Sequence, residues 1–557
     1  MKEYLSDNKQ TRSQESTNAI ERLYISMRHL FNRGFYKPMG VSGETLREAL
    51  LVLRPEIYGS INEDKVELNG LLYVLDRLPE GIEECRFVNL TSEEGYKNAH
   101  FEVIVPKKRR RNCYRVDDDQ MNIEITRGRS EIYDILTHLT FMYMESEKIR
   151  KRVQKSDEES LTRDWNKLVS FVEKGKLSNN ETDIAISHLA YILGRSFDEV
   201  SKAYKEFGTS KNPNKLLHVI YGLGIRSLEE ELKNKKREIT FSPTLQERIG
   251  HHIHSAFWAY QVKKKLHNLN LFKRPLHIIS SNMHSVMNTL YAKEALKTDY
   301  KDLPAMELYE VLSKKGNTKD RNKVKAFAVK QGMTFIEDAS DSHIDVQIFD
   351  TSKIEKSINF NKKDAPVLIV MDYAFGEQAY GAMDELLKPF EADSETLFYM
   401  NLDSISVMGK AGILIGGKGD IMLPTAHVLE GTAGNYPFKN ELAITDFAES
   451  GIDCCEGSMI SVLGTSLQNK DLLRFFHDST WNAIGLEMEG AHYQKAIQAA
   501  SKIRKSIPEN VKVRYAYYAS DNPLETGSTL ASGGLGTSGV KPTYTITEKI
   551  LNQILNS

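Results

Sequence analysis

Pro366-Val-Leu-Ile-Val-Met-Asp-Tyr373 sets five apolar residues in a row and ends them on an acid. A run this short, rich in β-branched residues, is a strand candidate. Similar runs stand on either side of it. Leu276-His-Ile-Ile-Ser-Ser281 comes before; Ile405-Ser-Val-Met408, Ile421-Met-Leu423 and Val511-Lys-Val-Arg-Tyr-Ala-Tyr-Tyr518 come after. Helical patterns lie between them, notably Tyr380–Leu387 and Glu487–Ile503. Strands that alternate with helices predict an α/β domain with a largely parallel sheet, spanning 272–557. The stretch 298–361 is long for one connection and reads as an insertion with structure of its own.

Toward the N-terminus the texture changes. Residues 1–18 are polar and are expected to be a disordered tail. From 19 to 271 the pattern predicts a mainly helical domain. Its clearest helix is Ser130–Ile149, where Ile132, Ile135, Leu136, Leu139 and Met142 make one apolar stripe and Ser130 is the candidate N-cap. Phe101-Glu-Val-Ile-Val-Pro106 reads as a short strand ended by proline.

Composition narrows the function. The chain has 557 residues, long enough to bury a sizeable core without staples. A formal net charge of -2 argues against a nucleic-acid coat protein, and no nucleic-acid partner is expected. Four cysteines, at 85, 113, 454 and 455, are too few for a disulfide framework and imply a reducing compartment. No apolar stretch is long enough to span a membrane, and Met1–Ser16 has no signal-peptide core, so the expectation is a cytoplasmic protein.

Several local signals read two ways. Lys107-Lys-Arg-Arg-Arg111 is a candidate anion site or a solvated loop. His251-His-Ile-His254 has metal-ligand spacing, yet nothing else in the chain completes a set, so no metal and no cofactor are expected. Ala531-Ser-Gly-Gly-Leu-Gly-Thr537 lacks the lysine ending of a phosphate loop and reads as a surface loop. Gly409-Lys-Ala-Gly412, at a strand end, lets the backbone approach a ligand closely. Glu487 and Glu489 open a helix, where carboxylates are favoured in any case, and Asp521 is a candidate helix cap as much as a functional acid.

Taken in order, these segments resemble the nucleoside phosphorylase and nucleosidase superfamily over about Phe272–Ser557. Leu486-Glu-Met-Glu-Gly-Ala491 resembles its ribose-binding helix start, and Tyr518-Ala-Ser-Asp521 the strand carrying its catalytic acid. Gly409–Gly412 stands at its glycine turn, and Gly419-Asp420 and Glu430-Gly-Thr432 with Tyr436 follow in register. Phe375-Gly-Glu-Gln378 supplies the glycine turn of the second strand through Gly376. The first half shows no family resemblance of its own. AMP nucleosidase, which adds an N-terminal domain to the same catalytic fold, is a loose analogy and suggests a regulatory role for 19–271, with Lys107–Arg111 sensing a phosphorylated ligand.

The resemblance implies cleavage of the N-ribosidic bond of a purine nucleoside or nucleotide. The leaving base gathers negative charge, so a general acid is needed, and its pKa must be raised by desolvation or by neighbouring acids. Asp521 is the candidate, beside Ser520. Glu489 is the candidate clamp for the ribose hydroxyls, with Met488 against the sugar face and Glu487 beside it. Gly409, Lys410, Ala411, Gly412, Gly376 and His284 complete the expected substrate-binding set. Phosphorylases hold a phosphate dianion with arginine. Here Val407 stands at one such position, and Ser280-Ser-Asn-Met-His284 at the other has none. Water is therefore the expected nucleophile. Phosphorolysis through Lys410 is one alternative, and a binding protein that kept the fold without the chemistry is another. A homo-oligomer is expected from the resemblance.

Overall fold

The structure is a computed structural model that describes residues 11–155, 160–354, 365–392, 396–432, 434–525 and 536–556. Contacts divide the chain into two units. Unit 1 comprises Met1–Thr126, Glu131–His251 and Ser466–Leu472; unit 2 comprises Arg127–Ser130, His252–Thr465 and Leu473–Ser557. The boundary therefore falls twenty residues before the one expected at 271/272. The reason is hydrophobic: the helix Ile253–Asn268 buries Trp258, Ala259, Val262 and Leu266 in the core of unit 2.

Unit 1 holds more strand than its sequence suggested. Strands β1 (Phe35–Tyr36), β2 (Phe87–Thr91), β3 (Val103–Ile104), β4 (Cys113–Arg115), β5 (Gln120–Glu124) and β6 (Glu238–Phe241) form one sheet in the order β1-β6-β2-β5-β4-β3. Helices still make up most of the regular structure of unit 1, but a six-stranded sheet that the mainly helical expectation did not include joins them. These strands are two to five residues long, too short for periodicity to register. The disordered tail expected over 1–18 does not extend to residue 18. Thr11 and Gln14 make a capping box for the helix Arg12–Arg33, and Gly34 ends it in the left-handed region at φ 92°. The remainder of the expected tail, 1–10, lies outside the described residues.

The helix Arg129–Val153 contains the expected stripe, with Ile132, Ile135, Leu136, Leu139 and Met142 all buried. Ser130 lies inside that helix rather than at its N-cap. The basic run is spent internally. Arg109 makes a two-pronged contact with Asp134 at 2.9 and 3.0 Å; Arg111 reaches Asp134 at 3.0 Å and Glu131 at 3.2 Å, fully buried; and Lys107 pairs with Asp76 at 3.3 Å. Three of the five cations expected to sense a ligand therefore have acidic partners, and two of these, Arg109 and Arg111, are largely or wholly buried.

Unit 2 carries β7 (Leu276–Ser280), β8 (Met333–Ile336), β9 (Val346–Asp350), β10 (Val367–Met371), a small pair β11 (Phe390–Glu391) and β12 (Leu397–Phe398), then β13 (Leu402–Ile413), β14 (Ile421–Leu429), β15 (Asn435–Pro437), β16 (Cys454–Ser461), β17 (Ala483–Glu487) and β18 (Lys512–Asp521). β7 and β10 are buried on both faces. Val367, Ile369 and Met371 enter one apolar cluster, Leu368 and Val370 the other. That double burial is why the run 367–371 is apolar without alternation.

The sheet is mixed rather than largely parallel. β7 pairs parallel with β10 and β13, β13 with β18, β14 with β16, and β16 with β17. Two antiparallel seams, β13 with β17 and β14 with β18, then close the cycle β13-β18-β14-β16-β17 into a ring. Closure leaves these five strands without a shared free edge. The insertion belongs to the sheet as well: β9 pairs antiparallel with β10, and β8 with β9. Part of that insertion, 355–361, lies outside the described residues, as does most of the glycine-rich stretch 531–537. Among the described residues no helix is long and apolar enough to cross a membrane.

Candidate active site

Strand ends bring the expected residues together within unit 2. β13 lies between β18 and β17 at its last residues, with Gly412 opposite Asp521 on one side and Leu486 on the other. An irregularity between Ala411 and Gly412 shifts the register there by one residue. Glycine is required at several of these contacts. A Cβ on Gly409 would stand 2.9 Å from the Tyr373 ring and hydroxyl, and one on Gly485 would stand 2.7 Å from the Gly412 carbonyl.

Asp521 ends β18 with no exposed surface. Its Oδ1 accepts a 2.6 Å hydrogen bond from Ser520, whose hydroxyl also lies 3.1 Å from the Ala411 carbonyl. Its Oδ2 has no hydrogen-bond partner among the described residues. Burial raises the Asp521 pKa, against the hydrogen bond from Ser520 and the charges of Lys410 and Lys418. An acid in this condition favours its protonated form more than a solvated aspartate does.

Glu489 sits at the N-cap of the helix Gly490–Gln498. Its Oε1 accepts the Gly376 N–H at 2.9 Å and its Oε2 the Met488 N–H at 3.2 Å. Burial and the adjacent Glu487 carboxylate push its pKa up to about 8, against Gly376, Met488 and Lys410. Exposed Lys410 is thus the cation whose charge acts on both acids. Met488 is nearly buried and its methyl lies 3.9 Å from where a Cβ on Gly376 would stand.

Glu487 differs from its neighbour. Its Oε2 accepts the N–H groups of Glu489 and Gly490, and its Oε1 accepts the Ser461 hydroxyl. Ser461 in turn accepts the Ala491 N–H at 2.8 Å. Burial opposes ionisation of Glu487, but His427, Ser461 and the Gly490 N–H outweigh it and hold its pKa below the usual glutamate range. Its oxygens serve the helix start.

The turn after β10 completes the arrangement. Gly376 takes φ 54°, and a Cβ there would stand 2.6 Å from Ser130. The Ser130 hydroxyl accepts the Glu377 N–H at 2.9 Å, Arg129 pairs with Glu377 at 3.3 Å, and the Arg127 guanidinium lies 5.0 Å from the centre of the Phe375 ring. Nothing in the sequence linked Arg127–Ser130 to a turn some 250 residues away. Tyr373, Ser461 and His427 were also missed. His427 lies in β14, and no spacing in the sequence marks it. His284 is exposed at the first turn of the helix Met283–Ala295, where Asp372 is the acid acting on its charge. It takes no part in the hydrogen bonds that join Glu489 to Gly376 and Asp521 to Ser520.

Unit 2 is thus a mixed α/β unit with a closed five-strand ring and two buried acids at or just beyond strand ends. The chain belongs to a family of unknown function, DUF6909, whose pattern matches residues 44–300 and 305–556. No curated protein matches it. Among solved structures, 5'-methylthioadenosine/S-adenosyl homocysteine nucleosidase from Campylobacter jejuni is 13% identical, covering 51% of this chain and 99% of that one, with a TM-score of 0.32. Futalosine hydrolase of Helicobacter pylori is 13% identical over 51% and 99%, with a TM-score of 0.31. Purine nucleoside phosphorylase from Toxoplasma gondii is 14% identical over 51% and 91%, with a TM-score of 0.29.

Proposed function

We propose that unit 2 cleaves the N-ribosidic bond of a purine nucleoside or nucleotide by hydrolysis. The observation that carries this reading is the Asp521 carboxyl, which is buried, raised in pKa and left with an unpartnered oxygen among the described residues. Such a group suits a general acid that protonates the departing base. Glu489 supplies the second requirement. Once ionised it accepts two hydrogen bonds from a ribose diol, and the Gly376 N–H holds its orientation. Met488 lies beside the Gly376 turn, where it would cover the sugar. A water molecule then suffices as nucleophile, because the ribosyl cation that develops is highly reactive.

Lys410 favours a second reading. Its charge acts on both acids, so it suits an anion placed between them, whether inorganic phosphate in a phosphorolytic reaction or a phosphate carried by the substrate. Analysis of products from adenosine and AMP, with and without inorganic phosphate, tests both. Ribose or ribose 5-phosphate formed at a phosphate-independent rate is the expected result. Ribose 1-phosphate, formed only when phosphate is present, overturns hydrolysis in favour of phosphorolysis. Binding of adenosine or AMP without base release overturns catalysis altogether and leaves a nucleoside-binding protein.

A further inference from the structure

His427, on β14, is fully buried. It stacks on Phe438 with ring centres 5.5 Å apart, and the Tyr515 and Tyr517 rings meet it edge-on at 4.7 and 6.0 Å. Among the described residues neither ring nitrogen has a close hydrogen-bond partner, and the acid that faces it is Glu487, whose Oε1 lies 3.5 Å from Nδ1. A buried imidazole surrounded by aromatic rings gains nothing over phenylalanine unless a nitrogen is used. The backbone shows that the fit is close: a Cβ on Gly490 would stand 2.2 Å from the ring, so Gly490 lets the helix start rest against the imidazole.

We propose that His427 is a positioning residue: its Nδ1–H fixes the Glu487 carboxylate beneath the start of the helix Gly490–Gln498, and Glu487 in turn fixes the place of Glu489. Each link is a contact. His427 faces Glu487 Oε1, Glu487 Oε2 accepts the Glu489 and Gly490 N–H groups, and the Glu489 side chain returns to Gly376. The inference rests on the proposed role of Glu489 for its meaning in function, but not for its chemistry. With His427 in place Glu487 ionises first, and its charge keeps the proton on Glu489. Besides Glu489, the titratable groups that act on Glu487 include Tyr373, Tyr515, Tyr517 and His492. Burial raises the pKa of the three tyrosines and lowers that of His492, which favours the neutral form of all four.

The test reads the two carboxyls directly, by 13C NMR titration of the full chain carrying carboxyl-labelled glutamate. Glu487→Gln and Glu489→Gln assign the two signals. In the wild type Glu487 is expected to titrate below the ordinary glutamate range and Glu489 near 8. His427→Phe should move the Glu487 midpoint up by about one pH unit, and His427→Gln, which keeps an N–H donor, should restore part of the change. An unmoved Glu487 midpoint in His427→Phe overturns the proposal, as does the same midpoint for Phe and Gln, since a purely structural role would not separate them. Should His427→Phe fail to fold, imidazole 15N shifts of the wild type decide. A proton on Nδ1 supports the proposal and a bare Nδ1 overturns it. No substrate enters these measurements, so their failure leaves the nucleoside reading standing, and the absence of base release leaves them standing.

Discussion

In unit 1, Asp134 lies between Arg109 and Arg111, and its carboxylate accepts hydrogen bonds from both guanidinium groups. In unit 2, Asp521 is at least as deeply buried, but one oxygen has only a serine hydroxyl and the other has no partner among the described residues. The physical consequences are opposite. Burial raises the pKa of Asp134, but its two arginines and His138 more than reverse this and hold it well below the aspartate range. Burial at Asp521 is not offset in the same way, and its pKa rises. A buried acid paired with cations is a structural element; one left without them is strained toward its protonated form and available for chemistry. The contrast distinguishes the two units better than their helix content does.

The strongest way to break this comparison is Asp521→Asn. It removes the proposed proton donor while keeping the shape of the side chain. Base release is expected to fall by about 10²–10⁴-fold with little change in melting temperature, as read by a product assay beside a thermal scan. Full turnover in the variant would end the proposed role of Asp521.

Arg111→Met should do the reverse. It strands Glu131 and part of Asp134 as buried charges, at a cost of about 3–5 kcal/mol to unit 1, read by urea denaturation. Base release measured well below the transition should stay unchanged.

pH sharpens the comparison because the two signs differ. Glu489 titrates higher in the folded chain than in the unfolded one. Its contribution to stability is therefore fully present below the ordinary glutamate pKa and is lost as pH rises toward 8. Glu489→Gln should accordingly stabilise unit 2 relative to wild type, increasingly so between about pH 4.5 and 8. In unit 1 burial lowers His138 to about 3, and cations hold Asp134 down, so their contribution is present above the unfolded pKa values and lost as pH falls through them. Asp134→Asn should cost most near neutral pH and progressively less in acid. Amide hydrogen exchange, followed in each unit across pH, separates the two slopes; slopes of the same sign would contradict the assignment.

A smaller effect is expected from Gly490→Ala. The added methyl meets the His427 ring, and the repacking should cost about 1–3 kcal/mol in unit 2, read as a lowered melting temperature. The smallest belongs to Lys107→Ser. That lysine is more than half exposed in its pair with Asp76, so the change should lie within about 1 kcal/mol by the same denaturation.

Local pattern was enough to determine part of this protein. The apolar run at 367–371, the runs beginning at 276, 405, 421 and 511, and the helix stripe from Ile132 to Met142 could be read from the sequence, because each is a periodic or continuous signal within one element. The order of Gly409–Gly412, Glu487–Glu489 and Ser520-Asp521 likewise pointed to one site before any geometry was known. Tertiary structure decided the rest. Strands of two to five residues in unit 1 carry too few positions to show a period, so apart from the run 101–106, which holds β3, their sheet was not legible. The ring closure depends on the antiparallel seams between β13 and β17 and between β14 and β18, which no local pattern encodes. Most of all, the chain does not state where a charge will find its partner. Lys107–Arg111 looked free and is largely spent on Asp134, Glu131 and Asp76. Glu487 and Glu489 look alike in sequence and differ because one meets His427 and helix N–H groups while the other meets its neighbour's charge. Electrostatic environment is a property of distance in space, and only the fold sets those distances.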